Sequence, residues 1–245
     1  MEDKSVFDFS GVPSYNWAEL YYITYELDIS LTSIKEAIVH HNNIIKNKRD
    51  ALKEAVDKDE YLCSNESDDV KSQYYNNYYE HAEAAIDDLE RILHNSTTLT
   101  IFSVVEGKVK VLCESIEKEI RSSIKIKDLK SNDNFDLYSS YLIKVFGMEQ
   151  VKSAAFLESL KKYKIVRNSI AHQNSTIRAN EVNLVKTLKH VKIETYVDNH
   201  ILITSQQFLY DLTELVEKYI SEVVSEIDQR WTKLKLLSDS EHRNS

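Results

Sequence analysis

Arg167, Asn168 and His172 form the one cluster in this sequence whose residue types and spacing suit chemistry on a phosphate. A guanidinium presents a planar fork of donors that matches phosphate oxygens two at a time and stays charged at any working pH. An imidazole titrates near neutrality when unperturbed, so His172 can accept or return a proton. Asn168 precedes His172 by four residues, which places both on one helix face, where an amide can orient an imidazole. Arg167 and His172 are five apart, about 140° around a straight helix of 3.6 residues per turn. One helix alone therefore does not bring them to a single ligand; the helix end or a second chain has to help.

The remaining signatures of catalysis are missing. The sequence has no glycine-rich phosphate loop, no G-x-S-x-G elbow, no H-E-x-x-H and no C-x-x-C. Its eight histidines include the adjacent pair His40 and His41, which point to different faces of a helix, so no metal site and no cofactor are expected. Cys63 and Cys113 lack zinc spacing and read as small buried hydrophobes. A net charge of −9 repels a phosphate backbone at long range and argues against a protein that coats nucleic acid indiscriminately. Two local basic runs remain, one from Lys118 to Lys130 and one from Lys161 to Arg167. The opening MEDKSVFDFSG has no basic and apolar leader pattern, and no apolar run reaches the ~20 residues of a membrane span, so a cytoplasmic protein without membrane contact is expected.

The elements that must position the cluster are helices. Three Gly and one Pro in 245 residues leave little of the punctuation that sandwiches and barrels need. Asn16 with Glu19 reads as a capping box that opens a helix or helix pair running to about Val56. The polar stretch from Asp57 to Asp69 reads as a connection with cap-type Ser67 and Asp68. Tyr75, Tyr78, Ala82, Ala85, Leu89 and Leu93 then stack on one face of a second helix, and its tyrosines are expected to pack there. The polar His94-Asn-Ser-Thr97 reads as a break before a further helix through Leu99, Phe102, Val109 and Ile116. The motif helix runs from Gln150 to about His172 on a stripe of Phe156, Leu160, Tyr163 and Ile170, which Arg167 shares. An arginine on such a stripe is costly unless it is paired or open to a polar cleft. The run KIETYVDNHILIT, β-branched on either side of Asp198-Asn199, is the one candidate hairpin. Thr204 with Gln207 caps the last helix, and the end beyond it is expected to fray.

The spacing Arg167-Asn168-x3-His172 resembles the R-[polar]-x3-H form of the R-x4-6-H motif of the HEPN superfamily. The order of helices around it is also similar: LTIFSVVEGKVKVLCESI, then the helix ending RNSIAH, then HILITSQQFLYDLTELVEKYI. The resemblance covers about Leu99 to Ile227 and implies an all-α, elongated bundle. Within the chain this places a HEPN-like domain at 96–230 with one small hairpin; residues 1–95 lie outside the resemblance and read as an N-terminal helical extension that either lengthens the bundle or serves dimerisation or partner binding, and 231–245 reads as a frayed tail. Family members with an intact motif are metal-independent endoribonucleases of toxin and antiviral defence systems, working as homodimers in which two motifs line a shared cleft. The implied chemistry is attack of a ribose 2′-hydroxyl on the adjacent phosphate, with RNA as substrate and an antitoxin or defence protein as partner. Arg167 and His172 would carry it and Asn168 would orient them. The alternative is a non-catalytic HEPN-like scaffold in a defence or regulatory complex.

Overall fold

The computed structural model describes residues 15–62, 65–131, 133–149, 152–195 and 198–243. Helix makes up 76% of the described residues, more than twice the usual third, as the scarcity of Gly and Pro requires. Among the described residues the helices are α1 (Glu19–Leu62), α2 (Asp68–Tyr78), α3 (Glu80–Ile120), α4 (Asn134–Lys144), α5 (Ser153–His172), the single turn α6 (Val182–Val185) and α7 (Gln207–Arg243). Between α6 and α7 lies the antiparallel hairpin of β1 (Val191–Glu194) and β2 (His200–Ile203), in register from Val191 opposite Ile203 to Glu194 opposite His200. Asp198 and Asn199 close it with φ of 50° and 58°. These are the left-handed values that Asp and Asn tolerate best among residues with a Cβ.

The chain forms two compact units, each assembled from separated stretches: residues 1–30, 104–156 and 217–245, and residues 31–103 and 157–216. Helices α1, α3, α5 and α7 each contribute residues to both, and residue 95 lies inside α3.

The first unit buries Leu20, Ile23 and Leu27 of α1, Val109, Leu112 and Ile116 of α3, Phe135, Tyr141 and Leu142 of α4, and Tyr219, Val223 and Ile227 of α7. With Tyr138 of α4 also buried, their three- and four-residue steps make one apolar stripe per helix, and burying such stripes together stabilises a bundle. Asp133 caps α4 by accepting from the Phe135 and Asp136 amides at 2.9 and 3.2 Å. Trp17 stacks on Trp231 with centroids 4.9 Å apart. Asp228 accepts from the Trp17 amide at 3.1 Å and from the Asn16 side chain at 3.0 Å. Asn16 is thus spent on Asp228 of α7 rather than on the start of α1, and the expected capping box with Glu19 is replaced by this long-range tie.

The second unit buries Leu31, Ile34, Ile38 and Ile45 of α1, Ile101 and Phe102 of α3, Leu160, Tyr163 and Val166 of α5, and Phe208, Leu212 and Val216 of α7. Tyr163 lies against Phe208, centroids 5.0 Å apart.

Several expected boundaries move. The helix expected to end near Val56 continues to Leu62, and Ser67 caps α2 by accepting from the Val70 amide. The expected break at His94–Thr97 is absent, because the polar side chains there bond back into their own helix. Ser96 Oγ donates to the Leu93 carbonyl, Thr98 Oγ1 to His94 and Thr100 Oγ1 to Ser96, at 3.1, 2.9 and 2.9 Å. The break falls instead at Tyr79. The tyrosines before it do not pack in a core, since α2 buries no residue and Tyr78 is 64% exposed. Ser205, not Thr204, accepts from the Gln207 amide at the start of α7, and that helix continues to Arg243 where an irregular end was expected. Cys113 is buried as expected; Cys63 lies outside the described residues.

Candidate functional site

Helix α5 carries the motif at its C-terminal end, in the second unit. The residues it buries there are Leu157, Leu160, Tyr163, Val166 and Ser169, each three after the last. Leu160 and Tyr163 belong to the expected stripe, but Phe156, Arg167 and Ile170 are only half-buried, at its edge. Arg167 therefore lies at the margin of the core rather than at its centre.

Arg167 Nη1 donates to Asn168 Oδ1 at 2.9 Å. Sequence reasoning gave Asn168 the role of orienting both Arg167 and the imidazole four residues on, and its carbonyl oxygen holds the neighbouring guanidinium. An amide oxygen on one fork of an arginine restricts the side chain's rotamers without neutralising it. His172 is exposed and is the last residue of α5. The structure thus brings Arg167 and Asn168 into contact.

The backbone beyond His172 is sharply set. Asn174 and Ser175 take φ of 49° and 62°, turning the chain off the helix axis. Ser175 donates its amide to the Ser169 carbonyl at 2.9 Å and accepts from the Ile201 amide at 2.7 Å, and the Ile177 amide donates to Asn199 at 3.2 Å. An isolated bridge joins Thr176 to His200. The hairpin's second strand therefore fastens the chain just after His172. An exposed side chain on a fastened backbone is well placed for chemistry, because its position is fixed while its face is open.

No model of a known family, no curated protein and no solved structure matches this chain.

The other end of α5 is held by a residue that sequence reasoning missed. Glu226 of α7, only 8% exposed, accepts from the Lys152 and Ser153 amides at 2.8 and 3.2 Å and from Ser153 Oγ at 2.5 Å. A carboxylate there satisfies amides that the first helical turn leaves without partners and complements the positive end of the helix dipole. The signal was present in the sequence: Glu226 falls three residues after Val223, on the apolar stripe of α7. A second missed feature is His94, 7% exposed, whose Nδ1 lies 3.3 Å from the Ile203 carbonyl at the end of β2. Burial pushes the His94 imidazole below its ordinary range, against the pull of Glu90.

Among the described residues, pockets lie elsewhere around Tyr74 and Tyr79, around Gly147 and Arg230, and around His41 and His94. Among the described residues no group of three or more His, Cys, Asp or Glu is placed to hold a metal ion. Among them, too, no helix is long and apolar enough to cross a membrane.

Proposed function

We propose that this chain is a metal-independent endoribonuclease of the HEPN type that works as a homodimer. The observation that carries the reading is the arrangement at the end of α5: a guanidinium held by Asn168 at 2.9 Å, with an exposed histidine on the same fastened helix end. RNA cleavage by internal attack needs those two functions. His172 accepts the proton of a ribose 2′-hydroxyl as its oxygen bonds to the adjacent phosphorus, and the bond to the 5′-oxygen breaks. Arg167 stabilises the charge that builds on the phosphorane oxygens, and a proton returns to the leaving 5′-oxygen. The products are a 2′,3′-cyclic phosphate and a 5′-hydroxyl end.

Pairing follows from the divergence of about 140° between Arg167 and His172 on one helix. In a symmetric dimer with the two α5 ends facing, the Arg167 of one copy and the His172 of the other can address one phosphate. A nuclease of this kind harms its own cell unless restrained, so a toxin or antiviral effector governed by a partner protein is the setting that fits.

The test is incubation of the purified chain with single-stranded RNA in excess EDTA, with the new ends identified chemically. Cyclic phosphate ends formed in EDTA support the reading. Intact RNA across substrates and candidate activators overturns it in favour of a helical scaffold, as would 3′-hydroxyl ends.

A further inference from the structure

Helix α2 is an anomaly within its unit: none of its residues is buried, yet it carries Tyr74, Tyr75 and Tyr78 and is followed directly by Tyr79. What attaches it to α1 is a pair of phenols. Tyr74 Oη donates to Asp59 Oδ2 at 3.0 Å, and Tyr79 Oη donates to the same oxygen. The rings also lie against one another, with centroids 6.3 Å apart for Tyr74 and Tyr79 and 5.9 Å for Tyr75 and Tyr79. Between these rings and the last turns of α1 is an open pocket of about 170 Å³. Its walls are the three tyrosines and Val56, and its polar groups include the Asp59 and Glu60 carboxylates against the single ammonium of Lys71.

We propose that this pocket binds a guanidinium on an aliphatic stem, the side chain of an arginine. Three aromatic rings offer negative faces, on which a guanidinium both stacks and gains cation–π attraction. Asp59 supplies the counter-charge. The phenol of Tyr79, then that of Tyr74, holds its carboxyl below the usual range, so it stays ionised. Because both phenols converge on Oδ2, the other oxygen is left to an incoming N–H donor. A lysine ammonium is a poorer match, being more strongly hydrated and unable to stack. The aliphatic stem would lie along Val56, where an apolar wall favours methylene groups. This site is separate from α5, and the proposal stands or falls independently of the ribonuclease reading.

The test titrates the whole chain with N-acetyl-arginine amide, following the backbone shifts of residues 56–60 and 71–79, with N-acetyl-citrulline amide as the uncharged isostere. A dissociation constant on the order of 1 mM is expected for the arginine compound, with the citrulline compound at least about tenfold weaker. Asp59→Asn should weaken binding by about tenfold or more, as should Tyr74→Leu, which removes one ring. Circular dichroism confirms that each variant is folded. Free arginine distinguishes the source of the group: its own carboxylate meets two acids in the pocket, so weaker binding than the amide points to a peptide partner, and equal binding to a free metabolite. Shifts that do not saturate, equal binding of the citrulline compound, or a folded Asp59→Asn that binds undiminished would each overturn the proposal.

Discussion

Replacing Glu226 by alanine should destabilise the protein by about 2–4 kcal/mol, because the carboxylate is the acceptor for the first turn of α5. The magnitude follows from what is left behind. Ser153 is 0% exposed, so its amide and hydroxyl would lose their acceptor in a place water does not reach. A buried polar group without a partner costs about 1–3 kcal/mol, while a surface amide such as that of Lys152 recovers a water and contributes little. The hydroxyl can turn toward another acceptor, which trims the upper end. Glu226→Gln keeps one acceptor oxygen and should lose only about 1 kcal/mol, the share owed to the charge and the helix dipole. Urea unfolding followed by helical ellipticity measures both variants. For a chain of this size the alanine variant should melt roughly 4–16 °C lower than wild type. If it unfolds within about 0.5 kcal/mol of wild type, the clamp does not hold α5 and the reasoning fails.

Two further predictions rest on buried titratable groups. Because burial depresses the His94 imidazole, the unfolded chain takes up its proton first as pH falls through the ordinary histidine range, and stability should drop with it. His94→Gln should flatten that dependence, as read from urea midpoints at about pH 7.5 and about pH 5.5. Cys113 is fully buried, and desolvation pushes its thiol well above the usual cysteine range. In a Cys63→Ser background a thiol reagent should therefore label Cys113 only as fast as the protein unfolds, and rapid labelling of the native chain would contradict its place in the core.

The helical class and the hairpin were legible because they depend on local chemistry. Scarce Gly and Pro, apolar residues at helical steps, Ser67 before a pair of aspartates, and Asp198-Asn199 between β-branched runs all act within a few residues of themselves. What was not legible depends on distant residues or on bonds that local polarity conceals. Asn16 looked like a cap because Glu19 follows it, but Asp228, more than two hundred residues away in sequence, takes its amide. His94 to Thr97 looked like a break because polar residues usually leave a helix, whereas here Ser96, Thr98 and Thr100 donate to carbonyls of the same helix. In the candidate site the residues themselves stood out by type and spacing. The partner of Asn168 did not, since an amide can turn to the adjacent guanidinium or to the imidazole one turn on, and only the rotamers decide between them. The buried stripe of α5 was read correctly at Leu160 and Tyr163 and missed at its ends, because Phe156 and Ile170 are apolar yet lie at its margin, while Ser169, which is small and polar, lies inside.

The most direct test of the central claim compares RNA cleavage by wild type, His172→Ala and Arg167→Ala in EDTA, with circular dichroism confirming that all three fold. His172 is exposed and Arg167 lies at the core margin, so neither truncation should disturb the packed stripes. Loss of acid–base help should slow cleavage by about 100- to 10,000-fold, and loss of the guanidinium by a comparable factor. Both variants should therefore be inactive beside a wild type that cuts. Cleavage by folded His172→Ala at the wild-type rate would contradict the account.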